Sequence, residues 1–293
     1  MSGQFCKICG ANALKIFAHT ASCKQCGVLL CYPYPESDAD IVASGGSRDG
    51  LGSDEDNKNA LWWHLNSGAR NHHNFTDMVL FAMEDQSFHE GLQVLDYGGG
   101  GGQFAVVLRS LYPLAKTHIV DIRDAKLLDQ FKSMNRQIKF DNFSTDSTKF
   151  DYIFMNDVYE HVSDPVKVLW GFRDKLIGPN ARVFIDTPCQ FWIYPITKLF
   201  SERIHEKLLR GTVDYDHQQI WSKKSFDHIV EEAGFRIVKY VETSEFTQPA
   251  EFYMDNMKIT NWALRLAGRI FYRLAPHIAK NKIMAVLAPL NDG

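Results

Sequence analysis

The feature that most constrains the fold of this chain is a run of five consecutive glycines, Gly98–Gly102. The residues before it, Gln93–Leu95, predict a buried parallel strand, and Phe104–Leu111 predicts a helix directly after it. Because glycine has no Cβ, the loop lets the backbone approach a ligand closely at the N-terminal end of that helix. A strand, a glycine loop and a helix in this order predict a cofactor site of the NAD, FAD or S-adenosylmethionine type.

The glycine loop stands at the start of a regular alternation of strand-like and helix-like segments. The helical pattern is clearest at Pro165–Leu176, Lys223–Ala233 and Asn261–Leu274, and Asp164 and Ser222 stand where the first two would be capped. Six further strands are predicted at Thr117–Ile122, Gln137–Phe140, Asp151–Asp157, Ala181–Thr187, Gly234–Val241 and Lys282–Leu287. Seven strands with interleaved helices predict a doubly wound α/β domain.

Two cysteine pairs with the same spacing, Cys6-x-x-Cys9 and Cys23-x-x-Cys26, lie near the N-terminus, and each is followed by a glycine. Two tight turns of this kind bring four thiolates together in a tetrahedron, which is the coordination that structural zinc prefers. A redox function needs only one such pair and leaves the second unexplained. We therefore predict a zinc ribbon whose closed four-thiolate site is structural.

The sequence divides into three parts. The predicted zinc ribbon covers residues 1–35 and ends at two prolines. Residues 36–90 predict a linker rich in Ser, Gly and Asp, followed by a helical cap. Residues 91–293 hold the α/β domain, which an insertion at about 190–217 interrupts on the substrate side.

The overall charge and hydropathy indicate which partners and which cellular compartment to expect for the protein. The 293-residue chain has a formal net charge of −3, which gives no electrostatic reason to expect a nucleic-acid partner. The sequence lacks a signal-peptide pattern and any apolar run of the roughly 18 residues that a membrane span needs. We therefore expect a cytoplasmic protein, in which the six cysteines stay reduced unless a metal binds them.

Polar residues gather where the predicted strands end. Asp96 lies in the first strand, and Asp121 ends the second strand 25 residues later, a position suited to binding ribose hydroxyls. Asp141 and Asn142 follow the third strand, where a polar side chain would meet adenine. Ligands of open α/β sheets bind at this carboxyl edge, and the fourth strand adds Asn156, Asp157, Glu160 and His161 to it.

In this order the motifs resemble the class I S-adenosylmethionine-dependent methyltransferases over most of the chain. The resemblance rests on D-x-G-x-G-x-G from Asp96 to Gly102, on Asp121, on the segment FDYIFMNDVYEHVSDP and on a glycine turn before the fifth strand. NAD enzymes would carry a glycine where Gln103 stands.

The resemblance implies a Rossmann-like fold and S-adenosylmethionine as cofactor, with Asp96 near the methionine moiety and Asp121 on the ribose. A cationic ligand of this kind suits a site with carboxylates. The predicted cofactor-binding residues are Asp96, Tyr97, Gly98, Gly100, Gly102, Gln103, Asp121, Ile122, Asp141, Asn142 and Asn156.

The turn after the fourth strand supplies candidate catalytic residues. Methyl transfer is an in-line displacement, so positioning supplies much of the rate and a base only raises the nucleophilicity of the acceptor. His161 is the first candidate base because an unperturbed histidine has a pKa of about 6.5. Its alternative role is to brace the turn. His217 is either a substrate-facing or base residue or a plain loop histidine, and Asp157 completes the candidate set.

Asp157, Glu160 and His161 also form the pattern D-x-x-E-H. It resembles the E-x-x-E-H motif of quinone O-methyltransferases and of small-RNA 2'-O-methyltransferases, which use a divalent cation. The RNA enzymes provide another histidine ligand at the place of His217. The aspartate has a shorter reach than the glutamate of the motif. A second divalent cation, bound by Asp157, Glu160, His161 and His217, is therefore an alternative prediction.

The cysteine pairs followed by LLCYPYPES resemble a subgroup in which a zinc ribbon precedes the methyltransferase domain. Members are commonly tied to sugars, cell-surface polysaccharides or secondary metabolites, which implies O-methylation of a sugar, a nucleotide sugar or a lipid-linked glycan. Two alternatives stay open. One is a metal-assisted methyltransferase acting on a quinone or an RNA 2'-hydroxyl, and the other is a non-catalytic cofactor-binding protein whose ribbon docks a partner.

The predicted helix near the C-terminus is amphipathic. Its apolar side includes Trp262 and Leu274, while Arg265, Arg269 and Arg273 recur at four-residue spacing. A helix of this kind packs in a core or a dimer, or it lies on a membrane surface. A homo-oligomer and a peripheral membrane contact are therefore both compatible with the sequence.

Overall fold

The computed structural model of this chain describes residues 5–17, 19–34, 74–84, 91–100, 102–122, 135–178, 180–189, 217–244, 249–256 and 259–290. Much of the predicted linker lies outside the described residues, and so does the predicted insertion at about 190–217 except for His217. In the predicted helical cap, residues 74–83 form a helix.

All seven predicted strands of the α/β domain are present. In chain order the described strands are β1 Leu14–Phe17, β2 Thr20–Cys23, β3 Leu29–Cys31, β4 Gln93–Tyr97, β5 Lys116–Asp121, β6 Asn135–Lys139, β7 Tyr152–Asn156, β8 Arg182–Pro188, β9 Gln219–Ile220, β10 Phe235–Thr243 and β11 Lys282–Pro289. The described helices are α1 at 74–83, α2 Gln103–Leu111, α3 Pro165–Arg173, α4 Lys223–Glu232, α5 Ala250–Asn256 and α6 Trp262–Ile278.

The larger sheet has the strand order β10-β11-β8-β7-β4-β5-β6. Hydrogen-bonded neighbours are parallel except at β11, which is antiparallel to both β8 and β10. The chain passes from β4 to β5 and β6 on one side and then continues to β7 and β8 on the other, so the strand order reverses at β4. In open α/β sheets a ligand crevice lies outside the carboxyl ends of the strands at such a point.

Helices pack on both faces of this sheet, as the alternation along β7 shows. Ile153 and Met155 belong to a hydrophobic cluster that includes residues of α3 and α4. Tyr152 and Phe154 belong to a second cluster that includes residues of α1 and α2. Because side chains of a strand point alternately to its two faces, the sheet lies between two helical layers. The fold is therefore the predicted doubly wound, Rossmann-like α/β fold.

The predicted helix caps are confirmed. Asp164 accepts a backbone N–H of α3 at 3.0 Å, and Ser222 forms a capping box with Ser225 at the start of α4. The helix α3 ends earlier than predicted because Leu176 forms a parallel β-bridge with Phe150 instead of continuing the helix.

The smaller sheet contains a strand that the sequence does not predict. The three ribbon strands β1, β2 and β3 are antiparallel neighbours, and β9 pairs antiparallel with β3 as the fourth strand. Leu29 lies opposite Ile220, and Leu30 lies opposite Gln219. Buried ribbon residues also share one hydrophobic cluster with Trp221, which follows β9. The ribbon is therefore continuous with the α/β domain in both sheet and core.

The amphipathic helix α6 exposes much of its apolar side. Trp262 is 77% exposed and Leu274 is 49% exposed, whereas Arg265 and Arg269 form ion pairs with acids of α5. Among the described helices, none is long and apolar enough to cross a membrane. The homo-oligomer and the peripheral membrane contact stay predictions.

Candidate active site and four-cysteine cluster

The glycine loop turns from the end of β4 toward the end of β5. The N–H of Gly98 donates to the Val120 carbonyl at 2.6 Å, and the N–H of Gly100 donates to Asp121 Oδ2 at 2.9 Å. The φ angles of Gly98, Gly100 and Gly102 are 78°, 48° and 82°, in the left-handed region that favours glycine. The loop therefore joins the carboxyl ends of β4 and β5 to the first turn of α2.

Two glycines of the loop leave no room for a side chain. A Cβ on Gly98 would lie 2.3 Å from Val158 Cγ2, and a Cβ on Gly99 would lie 2.4 Å from Asp96 Oδ2. The loop backbone therefore lies directly against the Asp96 carboxyl group.

The Asp96 carboxyl group is buried in β4, with a relative exposure of 3% for the residue. Burial, and after it the Asp121 carboxylate, raises the pKa of Asp96 to about 8. Its Oδ2 has no hydrogen-bond partner among the described residues. Since burying an unpaired polar group costs free energy, this position fits a ligand that brings a positive charge or a hydrogen-bond donor.

The other predicted cofactor residues differ in their surroundings. The side-chain amide of Asn156, at the end of β7, is buried and has no hydrogen-bond partner within the described part of the chain. Tyr97 packs its ring in the core, with its centroid 5.0 Å from that of Phe172. The remaining residues are Gln103, which begins α2, Ile122, exposed after β5, and Asp141 and Asn142, exposed after β6.

Asp157 has a left-handed backbone conformation directly after β7, with a φ of 50°. Its Oδ1 lies 2.7 Å from Lys282 Nζ, which also donates to Asp186 Oδ2 at 2.5 Å. Burial alone would lower the pKa of Lys282, but the two carboxylates outweigh burial and hold that pKa above its usual value. Lys282 could not be identified from the sequence, because a single lysine at the start of a strand forms no motif.

Glu160, His161 and His217 form a cluster at the same edge of the sheet. Glu160 is fully buried, and its Oε2 accepts a hydrogen bond from Thr187 Oγ1 at 3.0 Å. Its Oε1 lies 3.7 Å from His161 Nε2, and the ring centroids of the two histidines are 5.0 Å apart. One potential ligand atom from each residue lies within 4.8 Å of the others. The structure thus brings together three of the four predicted metal ligands, whereas Asp157 pairs with Lys282.

The electrostatics of this cluster favour a positive charge. Burial, followed by the nearby Asp157 carboxylate, raises the pKa of Glu160 to about 8. Its Oε1 has no hydrogen-bond partner in the described structure. A protonated His161 or a metal ion would stabilise the ionised carboxylate, so the cluster can accept a proton or hold a cation.

Two glutamines of the 217–220 segment hold the turn that follows β7. Gln218 Nε2 donates to the His161 carbonyl at 2.7 Å, and Gln219 Nε2 donates to the Val162 carbonyl at 2.8 Å. Both glutamines are fully buried. Neither glutamine was predicted as a site residue, and the only sequence signal for them is that two consecutive glutamines follow His217.

The four predicted zinc ligands lie together in the ribbon. The Sγ atoms of Cys6 and Cys26 are 3.8 Å apart, those of Cys9 and Cys23 are 3.6 Å apart, and all four lie within 4.8 Å of one another. A tetrahedron with Zn–S distances of about 2.3 Å has edges of roughly 3.8 Å. The backbone N–H of Gln25 also donates to Cys23 Sγ at 3.3 Å, which suits a thiolate. The geometry therefore fits zinc.

Three features of this chain are together typical of S-adenosylmethionine-dependent methyltransferases. They are the sheet with its antiparallel last strand, the glycine loop after β4 and the acid at the end of β5. Residues 51–240 match the family described as "Methyltransferase domain". Since the match covers well over half of the sequence, this chain belongs to that methyltransferase family.

Curated relatives are also methyltransferases. A ubiquinone biosynthesis O-methyltransferase from Coxiella burnetii is 26% identical over 161 residues, which cover 53% of this chain and 68% of the relative. A protein of the same name from Histophilus somni is 29% identical over 175 residues, covering 53% of this chain and 70% of the relative. The family, the fold and these relatives together identify the chain as an S-adenosylmethionine-dependent methyltransferase.

Solved structures of methyltransferases share the fold. The plantazolicin methyltransferase BamL, in complex with a triazolic desmethylPZN analog and SAH, has a TM-score of 0.54 at 15% identity, covering 87% of this chain and 97% of that chain. Phosphoethanolamine N-methyltransferase 2 from Haemonchus contortus, in complex with S-adenosyl-L-methionine, has a TM-score of 0.51 at 15% identity, covering 74% of this chain and 53% of that chain. At these identities the likeness shows the fold alone.

Proposed function

We propose that this chain transfers a methyl group from S-adenosylmethionine to a hydroxyl oxygen of a small molecule at the carboxyl edge of the larger sheet. The observation that carries the proposal is the cluster of Glu160, His161 and His217. Glu160 and His161 follow β7, and the glycine loop follows the neighbouring strand β4. Cofactor loop and candidate base therefore belong to adjacent strand ends.

Asp96, Asp121 and the glycine loop would hold the cofactor. Bound there, S-adenosylmethionine supplies an electrophilic methyl group on a cationic sulfonium. Asp96, whose Oδ2 has no partner in the described structure, would face the positively charged methionine part. Asp121 would bind the ribose hydroxyls, as the resemblance implies. The buried amide of Asn156 offers a further donor and acceptor at this edge.

His161 would accept the proton of the acceptor hydroxyl. Its side chain is 35% exposed, whereas that of Glu160 is fully buried, so the imidazole and not the carboxylate is accessible to an acceptor. The Glu160 carboxylate, 3.7 Å from His161 Nε2, would stabilise the imidazolium that results. The Thr187 hydroxyl holds that carboxylate in place. His217, whose ring is 5.0 Å from that of His161, would face the acceptor.

The acceptor in this proposal is a ring hydroxyl of the phenol or quinol kind. The support is the name that the relatives share at 26% and 29% identity, ubiquinone biosynthesis O-methyltransferase. A phenolic hydroxyl, with a pKa of about 10 in tyrosine, ionises readily enough for a histidine base to assist. A sugar, a nucleotide sugar or a lipid-linked glycan, implied by the ribbon-containing subgroup, is the competing acceptor.

A second candidate is a metal-assisted form of the same transfer. It is favoured by the three potential ligand atoms of Glu160, His161 and His217 within 4.8 Å. A divalent ion there would neutralise the buried carboxylate and could polarise an acceptor oxygen. Adding magnesium or manganese to chelated protein, with the ribbon zinc content measured in parallel, tests it. Turnover that depends on the added ion supports the candidate, and unchanged turnover rejects it.

We also propose that the four cysteines Cys6, Cys9, Cys23 and Cys26 bind one structural zinc ion. The support is the fit of the sulfur distances to a tetrahedron and the absence of an open position in a four-thiolate set. Elemental analysis of the purified protein should give one zinc per chain. A Cys23→Ser variant should lose most of it.

The acceptor is tested by incubating the protein with methyl-labelled cofactor and three panels of molecules: quinols and catechols, sugars and nucleotide sugars, and RNA. A labelled quinol-type product in mass spectrometry supports the proposal. Product from sugars alone would identify a sugar as the acceptor, and methyl transfer would remain the reaction. Cofactor binding in calorimetry without product from any panel would favour a non-catalytic binding protein.

The catalytic cluster is tested by His161→Ala and His217→Ala. The first should lower kcat by about 10²- to 10⁴-fold because general base assistance is lost. The second should lower kcat by a smaller factor because only a contact to the acceptor is lost, and cofactor affinity should stay nearly unchanged in both. The matched control is His228→Ala on the exposed side of α4, which should leave both quantities unchanged. Equal losses of turnover and of cofactor affinity would make the two histidines structural.

A further inference from the structure

We propose that the cysteine ribbon positions the proposed catalytic cluster through strand β9, with Gln218 and Gln219 as positioning residues. The proposal rests on the proposed function for the role of Glu160 and His161, but its structural part does not. It assigns the ribbon a function in catalysis in addition to its contribution to folding.

The ribbon side of the connection is a strand pairing. Strand β3 pairs with β9, so that Leu29 lies opposite Ile220. The N–H of Cys31 donates to the Gln218 carbonyl at 2.8 Å, and Ser222 Oγ donates to the Cys26 carbonyl at 2.6 Å. Cys26 is itself one of the four clustered cysteines. The position of β9 therefore depends on the part of the ribbon that the cysteines organise.

The opposite side of the connection is the turn that carries the cluster. The backbone N–H of Gln218 donates to the Glu160 carbonyl at 2.9 Å, and its side chain donates to the His161 carbonyl at 2.7 Å. The side chain of Gln219 donates to the carbonyls of Val162 at 2.8 Å and Tyr159 at 3.1 Å. Successive carbonyls of this turn are therefore fixed by two buried residues of the 217–220 segment.

The two sides meet in a segment that is short on its own. Strand β9 is only two residues long, and an isolated pairing of this length is not stable without neighbours. His217 directly precedes the two glutamines, and its ring lies 5.0 Å from that of His161. Loss of β3 would therefore free β9. His217 and the turn after β7 would then no longer keep their relative positions.

The first experiment measures amide hydrogen exchange and needs no turnover. Zinc is removed by a chelator, and in parallel by Cys23→Ser. Exchange at the amide of Gln218 and in the 159–162 turn should rise by more than about tenfold relative to the amides of β4, because local opening no longer has to break the β3 pairing. Unchanged protection of the Gln218 amide after zinc loss would overturn the proposal.

The second experiment leaves the zinc site intact. A Gln219→Leu variant, which removes two hydrogen bonds to the turn, should keep one zinc per chain and the cofactor affinity of the unaltered protein. Its kcat should fall by about 10- to 100-fold, since displacement of a base by a fraction of a bond length is costly, with little change in the acceptor KM. The control is Gln137→Leu at an exposed position of β6, which should keep full turnover.

A Gln218→Met variant, which removes one side-chain hydrogen bond, replaces Gln219→Leu if that protein does not fold. Full kcat in a folded variant of either glutamine would overturn the positioning role. If no acceptor is turned over by the unaltered protein, the proposed function fails, and the exchange experiment still decides whether the ribbon fixes β9 and the turn.

Discussion

Two buried carboxyl groups, those of Asp96 and Glu160, each have one oxygen without a hydrogen-bond partner among the described residues. Burial raises the pKa of both to about 8, because a low-dielectric environment disfavours the charged form. A positive ligand reverses this preference, since it stabilises the ionised carboxylate. At the scale of the residue, two acids of the candidate site are therefore stabilised in the ionised form when a cation binds beside them.

The Asp96 carboxyl group leads to a prediction about cofactor affinity. In the free protein this group is protonated below its pKa of about 8. A cationic ligand requires the ionised form, so binding below that pKa releases a proton, and affinity should rise by up to about tenfold from about pH 6 to about pH 7. Calorimetric titrations with S-adenosylmethionine at several pH values measure this change in affinity.

The matched variants for this prediction are Asp96→Asn and Asp227→Asn. The first should bind the cofactor weakly and with little pH dependence. The second changes an exposed acid of α4 that pairs with Lys223 and should behave as the unaltered protein does. A pH-independent affinity in the unaltered protein would show that Asp96 does not contact the charged part of the ligand.

The glycine loop gives a second residue-scale prediction. A Gly99→Ala substitution would place a Cβ 2.4 Å from Asp96 Oδ2, so either the loop or the carboxyl group must move. Cofactor affinity should fall by more than about tenfold, as the position of the group facing the ligand changes. The control is Gly171→Ala in α3, where no atom outside the adjacent residues and the helix backbone lies within 4 Å of the added Cβ. That variant should bind normally and be more stable by about 0.5–1 kcal/mol. Normal binding by Gly99→Ala would exclude a tight loop.

At the scale of the element, one buried lysine joins three strand ends. Lys282 at the start of β11 contacts Asp157 after β7 and Asp186 in β8. The side chain of Asp186 is 1% exposed, and the ammonium group of the lysine lies against its carboxylate. Asp157 thus pairs with Lys282, while the three clustered ligand atoms come from Glu160, His161 and His217.

The ion pairs of Lys282 with Asp157 and Asp186 predict a large loss of stability in Lys282→Met. Removing one member of a buried ion pair leaves an uncompensated charge at Asp186, which costs about 3–5 kcal/mol. Urea unfolding of the variant measures the change. Lys280→Met, at an exposed position just before β11, should change stability by less than about 0.5 kcal/mol. A loss below about 1 kcal/mol in Lys282→Met would mean that another group compensates the carboxylates.

At the scale of the whole molecule, the ribbon and the α/β domain share a hydrophobic core. Buried ribbon residues such as Val28 and Leu30 belong to the same cluster as Trp221 and Phe226. Segments that are buried in the same hydrophobic cluster unfold together when the transition is cooperative. The ribbon is therefore expected to behave as part of the enzyme domain and not as a module that folds by itself.

This continuity predicts a single calorimetric transition that moves as a whole when zinc is removed. Zinc binds the folded ribbon, and its loss should lower the transition temperature by more than about 5 °C. Scanning calorimetry before and after chelation measures the shift. A main transition that stays in place, with a separate small transition at lower temperature, would show that the ribbon unfolds independently.

Local patterns in the sequence account for the elements and for much of the candidate site. Burial on both faces makes the parallel strands apolar, and the glycine loop and the cysteine pairs are short motifs, so each can be identified from neighbouring residues. The caps Asp164 and Ser222 were predictable for the same reason. What the sequence determined is therefore the fold class, the candidate cofactor edge and the four clustered cysteines.

Only the tertiary structure decided which distant segments meet. The pairing of β3 with β9 joins residues about 190 positions apart, and no periodicity within either segment encodes it. The same holds for Lys282 beside Asp157, and for Gln218 beside His161. Which side chains become partners across such separations depends on how the whole chain folds and packs. The sequence therefore supplied the groups of the candidate site, and the fold decided how they are paired and held.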